Sequence, residues 1–322
     1  MNANDFSELT PFDMMSAVED AMGCRLNGLA APFSSYINRV YEFQTVEGER
    51  LVAKFYRPGR WSKKALQDEH DFVLECAEQD IPVVAPLQMV DGGTLGYFEG
   101  IHFAVFPRRG GRSPEYNEEC WPRLGSLLGR LHAVGAKKKA SSRLSLTPGT
   151  TTAKYIDLLV DSDIISATSY RDFKSISGEL LGALNSFFDD DFEYQRVHGD
   201  LHYANILERP DEGLMLIDFD DMLNAPPVQD FWLLLPGHYP DCRMELDLML
   251  DGYLQFCDFQ FESLRLIEPL RAMRIIYFLA WCSTQASDFN FSKHFPDWGT
   301  DQFWRREVSD LRKQLSLIEK IR

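Results

Sequence analysis

Residues 198–218 read HGDLHYANILERPDEGLMLID, and the fold turns on this stretch. It places Asn205 five positions after Asp200, then runs through an apolar segment interrupted by Pro210-Asp211-Glu212-Gly213 and closed by Asp218. Pro, Asp and Gly in that order predict a tight turn between two short strands, Ile206-Leu207 and Leu214 to Ile217. A plain acidic hairpin would account for the turn. It would not account for a His-Gly-Asp and an Asn at fixed spacing before the first strand, with a carboxylate ending the second. Phosphoryl transfer needs those groups: a carboxylate to orient or deprotonate a hydroxyl, and two hard oxygen ligands for Mg²⁺ on nucleotide phosphates.

Protein kinases use a catalytic-loop Asp, an Asn five positions on and a later Asp in this way. Asp200 is therefore predicted as the base or orienter of the attacking hydroxyl, and Asn205 and Asp218 as metal ligands, with Asp218 counted among the catalytic residues. His198 reads as a hydrogen-bonded scaffold for the loop, and His202 as similar. Neither has metal-ligand spacing with another His or Cys, which argues against zinc. Asp220 points with Asp218 only if the strand continues, so the roles of Asp220 and Asp221 stay open. Asp230 reads as a helix cap or a brace for the catalytic loop, capping being simpler.

Outward toward the N-terminus, Lys54 lies inside Leu51-Val52-Ala53-Lys54-Phe55-Tyr56, where an ammonium needs an anion or a route to water. The Val52-Ala53-Lys54 context also resembles that of the strand lysine that meets ATP phosphates in kinases. Ser62 can cap a helix over 63–79, on which Leu66, Glu69, Phe72, Val73 and Cys76 share one face. Glu69 is the one carboxylate on that face and is expected to pair with Lys54. No GxGxxG lies between the first strands. The phosphate-facing turn would be Pro32 to Asn38, where backbone amides and the Ser35 hydroxyl can reach phosphate, although an ordinary polar turn looks the same.

A helix over 12–24 precedes two alternating strands, Arg39 to Thr45 and Arg50 to Tyr56, joined by Glu47-Gly48-Glu49. Ile101 to Phe106 is another strand, stopped by Pro107, Gly110 and Gly111, which sets a boundary near 107–112. Beyond it Leu124, Leu127, Leu128 and Leu131 recur on one helical face, with further helical patterns over 153–188, 241–257 and 262–286. An α+β architecture follows: residues 1–107 as a small antiparallel lobe with one main helix, and 108–322 as a larger helical lobe.

The 322 residues allow two such lobes, each with its own core. Thirty-three Lys and Arg against 49 Asp and Glu leave a formal charge of −16, which opposes attraction to nucleic acid or anionic lipid. The one basic cluster, Lys137 to Lys139 with Arg143, is expected to neutralise the end of the preceding helix. Six scattered cysteines without a Cys-x-x-Cys pair suit a reducing compartment. Acidic Asp5, Glu8 and Asp13 stand where a secretory leader would be basic, and the apolar run Ile275 to Cys282 is too short to span a bilayer. A cytoplasmic monomer is expected.

With these residues assembled, the chain resembles the aminoglycoside phosphotransferase and choline kinase group of protein-kinase-like folds. Within that group it is most similar to a bacterial stress-response branch. The resemblance rests on SYINRVYEF (35–43), VAKFYRPGRW (52–61), DEH (68–70), FAVFP (103–107), HGDLHYANIL (198–207), PPVQD (226–230) and LIEPLRAMRIIYFLAW (266–281). It implies ATP- and Mg²⁺-dependent phosphorylation of serine and threonine hydroxyls of proteins, the chain's own included, in stress protection. It carries the proton acceptor onto Asp200, the magnesium ligands onto Asn205 and Asp218, and the ATP-contacting loop residue onto Ser35. Asp218-Phe219-Asp220 replaces Asp-Phe-Gly, and no long activation segment separates it from the helix after Asp230. Arg271 and Arg274 could therefore shape an acceptor site or form ion pairs with residues such as Glu268. A small-molecule phosphotransferase and a catalytically inactive nucleotide-binding module are the rival readings.

Overall fold

The computed structural model describes residues 6, 9–35, 37–188, 192–286 and 291–321, so Tyr36 of the phosphate-facing turn and the acidic Asp5 and Glu8 lie outside the described residues. The chain forms two compact units. One joins Met1–Leu144, Gln195–Leu223 and Leu248–Cys257; the other joins Ser145–Tyr194, Asn224–Asp247 and Asp258–Arg322.

The first unit holds an antiparallel sheet of β1 (Leu26–Pro32), β2 (Arg39–Thr45), β3 (Arg50–Phe55), β4 (Gly96–Phe98) and β5 (Ile101–Pro107), in the order β1-β2-β3-β5-β4. The β2–β3 hairpin and β5 match the sequence expectation. β1 and β4 do not appear in it, because LNGLAAP lacks alternation and β4 is three residues long. Alternation along β3 sorts its side chains between two faces. Leu51, Ala53 and Phe55 pack with Met14, Ala17 and Val18 of α1 (Pro11–Met22). Lys54 belongs to the opposite set, as does Tyr56, which packs with Ala104 and with Leu66 of α2 (Lys63–Glu78). A Thr10/Asp13 capping box starts α1, and the Ser62 hydroxyl accepts from the Ala65 amide at the head of α2.

Helix α3 (Cys120–Gly135) buries the four predicted leucines. It meets the segment from Leu248 backbone to backbone: a Cβ on Gly125 would stand 1.8 Å from the Met249 carbonyl oxygen. β6 (Gln195–Val197) leads into the His198–Asn205 loop, and β7 (Ile206–Arg209) and β8 (Gly213–Leu216) form the predicted hairpin.

The second unit is helical. It contains α4 (Ala153–Asp161), α5 (Tyr170–Phe187), α6 (Val228–Trp232), the start of α7 (Arg243–Tyr253), α8 (Ile267–Gln285), α9 (Phe291–His294) and α10 (Asp301–Ile321). The stretch expected to be helical over 153–188 is two helices, broken after Asp161. α10 lies beyond every helix expected from sequence, yet Phe303, Trp304, Val308, Leu311, Leu315 and Ile318 bury one face at helical spacing. Asp230 does not cap α6: Pro227 holds the N-cap position and Asp230 is buried inside the first turn. Glu268, 1% exposed, accepts from the Tyr239 amide and from Gln314 Nε2 (2.7 Å), and pairs with His238 (3.1 Å) and Arg271 (3.4 Å). Arg271 thus takes the ion-pair alternative, while Arg274 lies over the Tyr277 ring. No described helix is long and apolar enough to cross a membrane.

Candidate active site

The loop between β6 and β7 is fastened to the segment after β8 at several points. His198, fully buried, donates through Nε2 to the Ile217 carbonyl (2.9 Å). Its ring lies 4.4 Å from that of Phe219, which in turn meets Phe72 of α2 edge-on. Gly199 has φ 85°, and a Cβ there would sit 2.2 Å from the Asp221 carbonyl oxygen, so both its backbone angle and its close approach require glycine. The Asp200 carbonyl accepts from the His202 amide (3.0 Å) and from Asn205 Nδ2 (2.9 Å), while the Ile217 amide donates to the Asn205 carbonyl (3.0 Å). Asn205 and Asp218 therefore flank the open end of one hairpin. With its amide nitrogen engaged on Asp200, Asn205 keeps its side-chain oxygen as a donor atom for a cation. His202 Nε2 stands 3.7 Å from the Asp200 carboxylate.

β8 ends at Leu216, and Asp218 follows in a left-handed backbone conformation, φ 64°. A non-glycine residue held there costs on the order of 1–3 kcal/mol, sustained by its surroundings. This bend, rather than a continued strand, brings Asp218 and Asp220 onto the same partner: Lys54 Nζ lies 2.7 Å from one carboxylate and 2.5 Å from the other. Burial alone would lower the affinity of Lys54 for its proton, but the two carboxylates reverse this and hold the ammonium well above its ordinary range. For Asp218, desolvation raises the pKa, and the charge and hydrogen bond of Lys54 outweigh it, leaving the carboxyl below its usual range. The half-exposed, ionised Asp218 carboxylate and the Asn205 amide oxygen are hard donors of the kind Mg²⁺ takes together with phosphate and water.

The predicted phosphate-facing turn is tied to this segment through Asn38, whose Nδ2 donates to Asp220 (2.5 Å) and whose Oδ1 accepts from the Arg57 amide (3.1 Å). Ser35 Oγ accepts from the Asn38 amide (3.3 Å) and so closes the turn. Glu69 is buried as expected, but its direct partner is Arg143 (2.7 Å), not Lys54. The Lys54 ammonium is already engaged by Asp218 and Asp220, and a fully buried guanidinium occupies the place expected of it. Burial, and next the charge of Asp220, push the Glu69 carboxyl up to about 7 even with Arg143 and Lys54 nearby.

Arg143 also departs from its expected place at the end of α3. The cluster divides: Lys138 pairs with Glu75 of α2, whereas Arg143 enters the site. Glu75 is further held by Arg196 of β6 (2.8 Å), which also donates to the Val134 carbonyl (2.9 Å). Arg60 and the side chain of Asn38 have no role in the sequence reading, Asp220 has an open one, and Arg143 has one at a helix end, yet the structure places all four at the site. The carboxylates that Asn38, Arg60 and Arg143 meet lie 74 to 182 positions away, and only the polar cluster following the Lys54 strand hints at them.

Comparison with known proteins bears on this geometry. The model of the phosphotransferase enzyme family matches residues 30–267. Stress response kinase A of Salmonella paratyphi A is 37% identical over 322 residues, covering 98% of this chain and 96% of that protein. The serine/threonine protein kinase RdoA of Salmonella typhimurium is 36% identical over 322 residues, with the same coverage. Among solved structures, amicoumacin kinase hAmiN in complex with AMP-PNP, Ca²⁺ and Ami superposes with a TM-score of 0.73 at 18% identity, over 95% of this chain and 92% of that one. Choline kinase LicA from Streptococcus pneumoniae follows at 0.62 and 15%, over 91% and 94%. The fold is kinase-like and α+β.

Proposed function

Because the chain belongs to the phosphotransferase enzyme family, alongside the stress response kinases A, we propose that it transfers the γ-phosphoryl group of ATP to serine and threonine hydroxyls of proteins, its own among them, as part of a stress response in the cytoplasm. The observation that carries this reading is the convergence of Lys54, Asp218 and Asp220, with Asn205 and the Asp200 loop fastened to the same hairpin. In it, residues 1–107 bind the nucleotide and residues 108–322 supply the catalytic groups and the acceptor site.

Asp200 orients the acceptor hydroxyl and takes its proton. Lys54 neutralises phosphate charge, and Ser35 with the turn amides contacts the phosphates. Asn205 and Asp218 would hold Mg²⁺, which supplies charge neutralisation to the phosphates when bound. Glu69 acts through Arg143 and through its field on Lys54.

The second reading, a small-molecule phosphotransferase, is favoured by the fold match to an amicoumacin kinase and a choline kinase and by a charge of −16 that suits a cationic acceptor. Labelled γ-phosphate transfer by the wild-type chain and Asp200→Ala separates the two. Serine or threonine label on protein that vanishes in the variant supports the first; label on small hydroxyl compounds alone moves the assignment to the second. ATP binding without transfer to any acceptor would leave only a binding module.

A further inference from the structure

The connection after α3 reaches the site from outside the recognised catalytic residues. Ser142 donates its amide to Asp68 of α2 (2.7 Å), and the side chain of the next residue, Arg143, is completely buried. Its guanidinium makes three hydrogen bonds at once: Nε to the Ala65 carbonyl (2.7 Å), one terminal nitrogen to Glu69 (2.7 Å) and the other to the backbone carbonyl of Asp220 (2.6 Å). Its plane rests 4.2 Å from the Trp61 ring, and Arg60 lies 5.6 Å from that ring, so Trp61 contacts two guanidinium groups. Arg60 in turn reaches Asp221 (2.7 Å) and Asp220 (3.4 Å).

Glu69 and Asp220, both buried, stand with the half-exposed Asp218 and with Asp221 as four carboxylates whose like charges drive the segment apart. Lys54 answers only part of that charge, and in the proposed reaction it must also serve the nucleotide. Arg143 grips the Asp220 backbone through its carbonyl, so it can hold the segment while the Asp220 carboxylate stays with Lys54, Asn38 and Arg60 and the Asp218 carboxylate is left to Lys54 and a cation.

We propose that Arg143, backed by Trp61 and Arg60, is a positioning residue that fixes the Asp218–Asp221 segment in metal-binding register, a task that ordinary protein kinases give to a phosphorylated activation segment. The inference rests on the nucleotide-binding reading above. It implies that the Mg²⁺ site is assembled by arginines within the fold and needs no phosphorylation to form.

The test is equilibrium binding of ADP to the full chain across a Mg²⁺ titration, with folding followed by circular dichroism. A lysine at 143 keeps a charge for Glu69 but cannot supply a planar three-way fork. Arg143→Lys is expected to raise the Mg²⁺ concentration for half-maximal ADP binding about tenfold, the size of one lost charge-assisted hydrogen bond. ADP binding without Mg²⁺ should change less than about twofold, a split that a merely structural role would not produce. Arg60→Ala, at the rim, should raise the Mg²⁺ requirement about threefold and carries the test if Arg143→Lys does not fold. A wild-type Mg²⁺ requirement in whichever variant folds overturns the proposal, as does equal loss of binding with and without Mg²⁺. A wild-type chain that binds no ADP at any Mg²⁺ concentration overturns the functional reading and this inference together, whereas wild-type binding with unchanged variants overturns the positioning role alone.

Discussion

Burying His70 between two hydroxyls ties its protonation to folding. Nε2 meets the Tyr56 hydroxyl at 2.9 Å and Nδ1 the Thr94 hydroxyl at 2.8 Å. Burial, and then the nearby charges of Lys54 and Arg143, drive its pKa from an ordinary 6.5 to about 4. Between those values the unfolded chain binds a proton that the folded chain refuses, so stability falls as pH falls, by up to about 3 kcal/mol. Denaturant midpoints measured from pH 7 to pH 4 should drop less steeply in His70→Gln than in wild type; identical slopes would rule the linkage out. Asp200→Ala should lower kcat by about 10²- to 10⁴-fold while nucleotide affinity stays within about twofold. The Asp200, Asn205 and Asp218 set was legible because it lies in one run of 21 residues. The partner of Glu69 was not, since a lone arginine in a polar connection carries no local sign of where its guanidinium ends up.

Helix α3 shows how an element is placed by what it lacks. Gly125 lets its backbone approach Met249 to a distance that no side chain would permit. Gly125→Ala should destabilise the fold by about 1–3 kcal/mol through overpacking, read as a lowered denaturation midpoint with kcat per folded molecule unchanged. The predicted leucine face of α3 was visible because its period is unbroken over about two turns, from Leu124 to Leu131. The same signal exists in α10, where apolar residues recur from Phe303 to Ile318, but polar and charged residues together outnumber them there and mask the pattern. β1 could not be read by alternation at all: Leu26-Asn27-Gly28-Leu29 carries little of it, and pairing with β2 is what makes it a strand.

For the whole molecule, a ligand that binds only the folded chain must stabilise it. Mg-ATP at about 100 times its Kd should add roughly 2.7 kcal/mol to the unfolding free energy, and Asp218→Asn should lose the Mg²⁺-dependent part of that gain in a thermal melt. An equal gain in the variant would remove Asp218 from the metal site. Sequence indicated two bodies and an α+β fold, yet it could not reveal that the sheet-bearing unit is assembled from three separated stretches of chain.

That discontinuity sets an order of events on the ribosome. Lys54 is separated from Asp218 by 164 positions, and Asn38 from Asp220 by 182. At about 5–20 residues per second, the strand carrying Lys54 waits roughly 8–30 seconds for the carboxylates that will face it. During that interval the nascent sheet presents an unanswered ammonium on the face it will later close. A chain halted before residue 195 should accordingly remain open to proteolysis across β2 and β3, and should become resistant only once synthesis has passed Asp221.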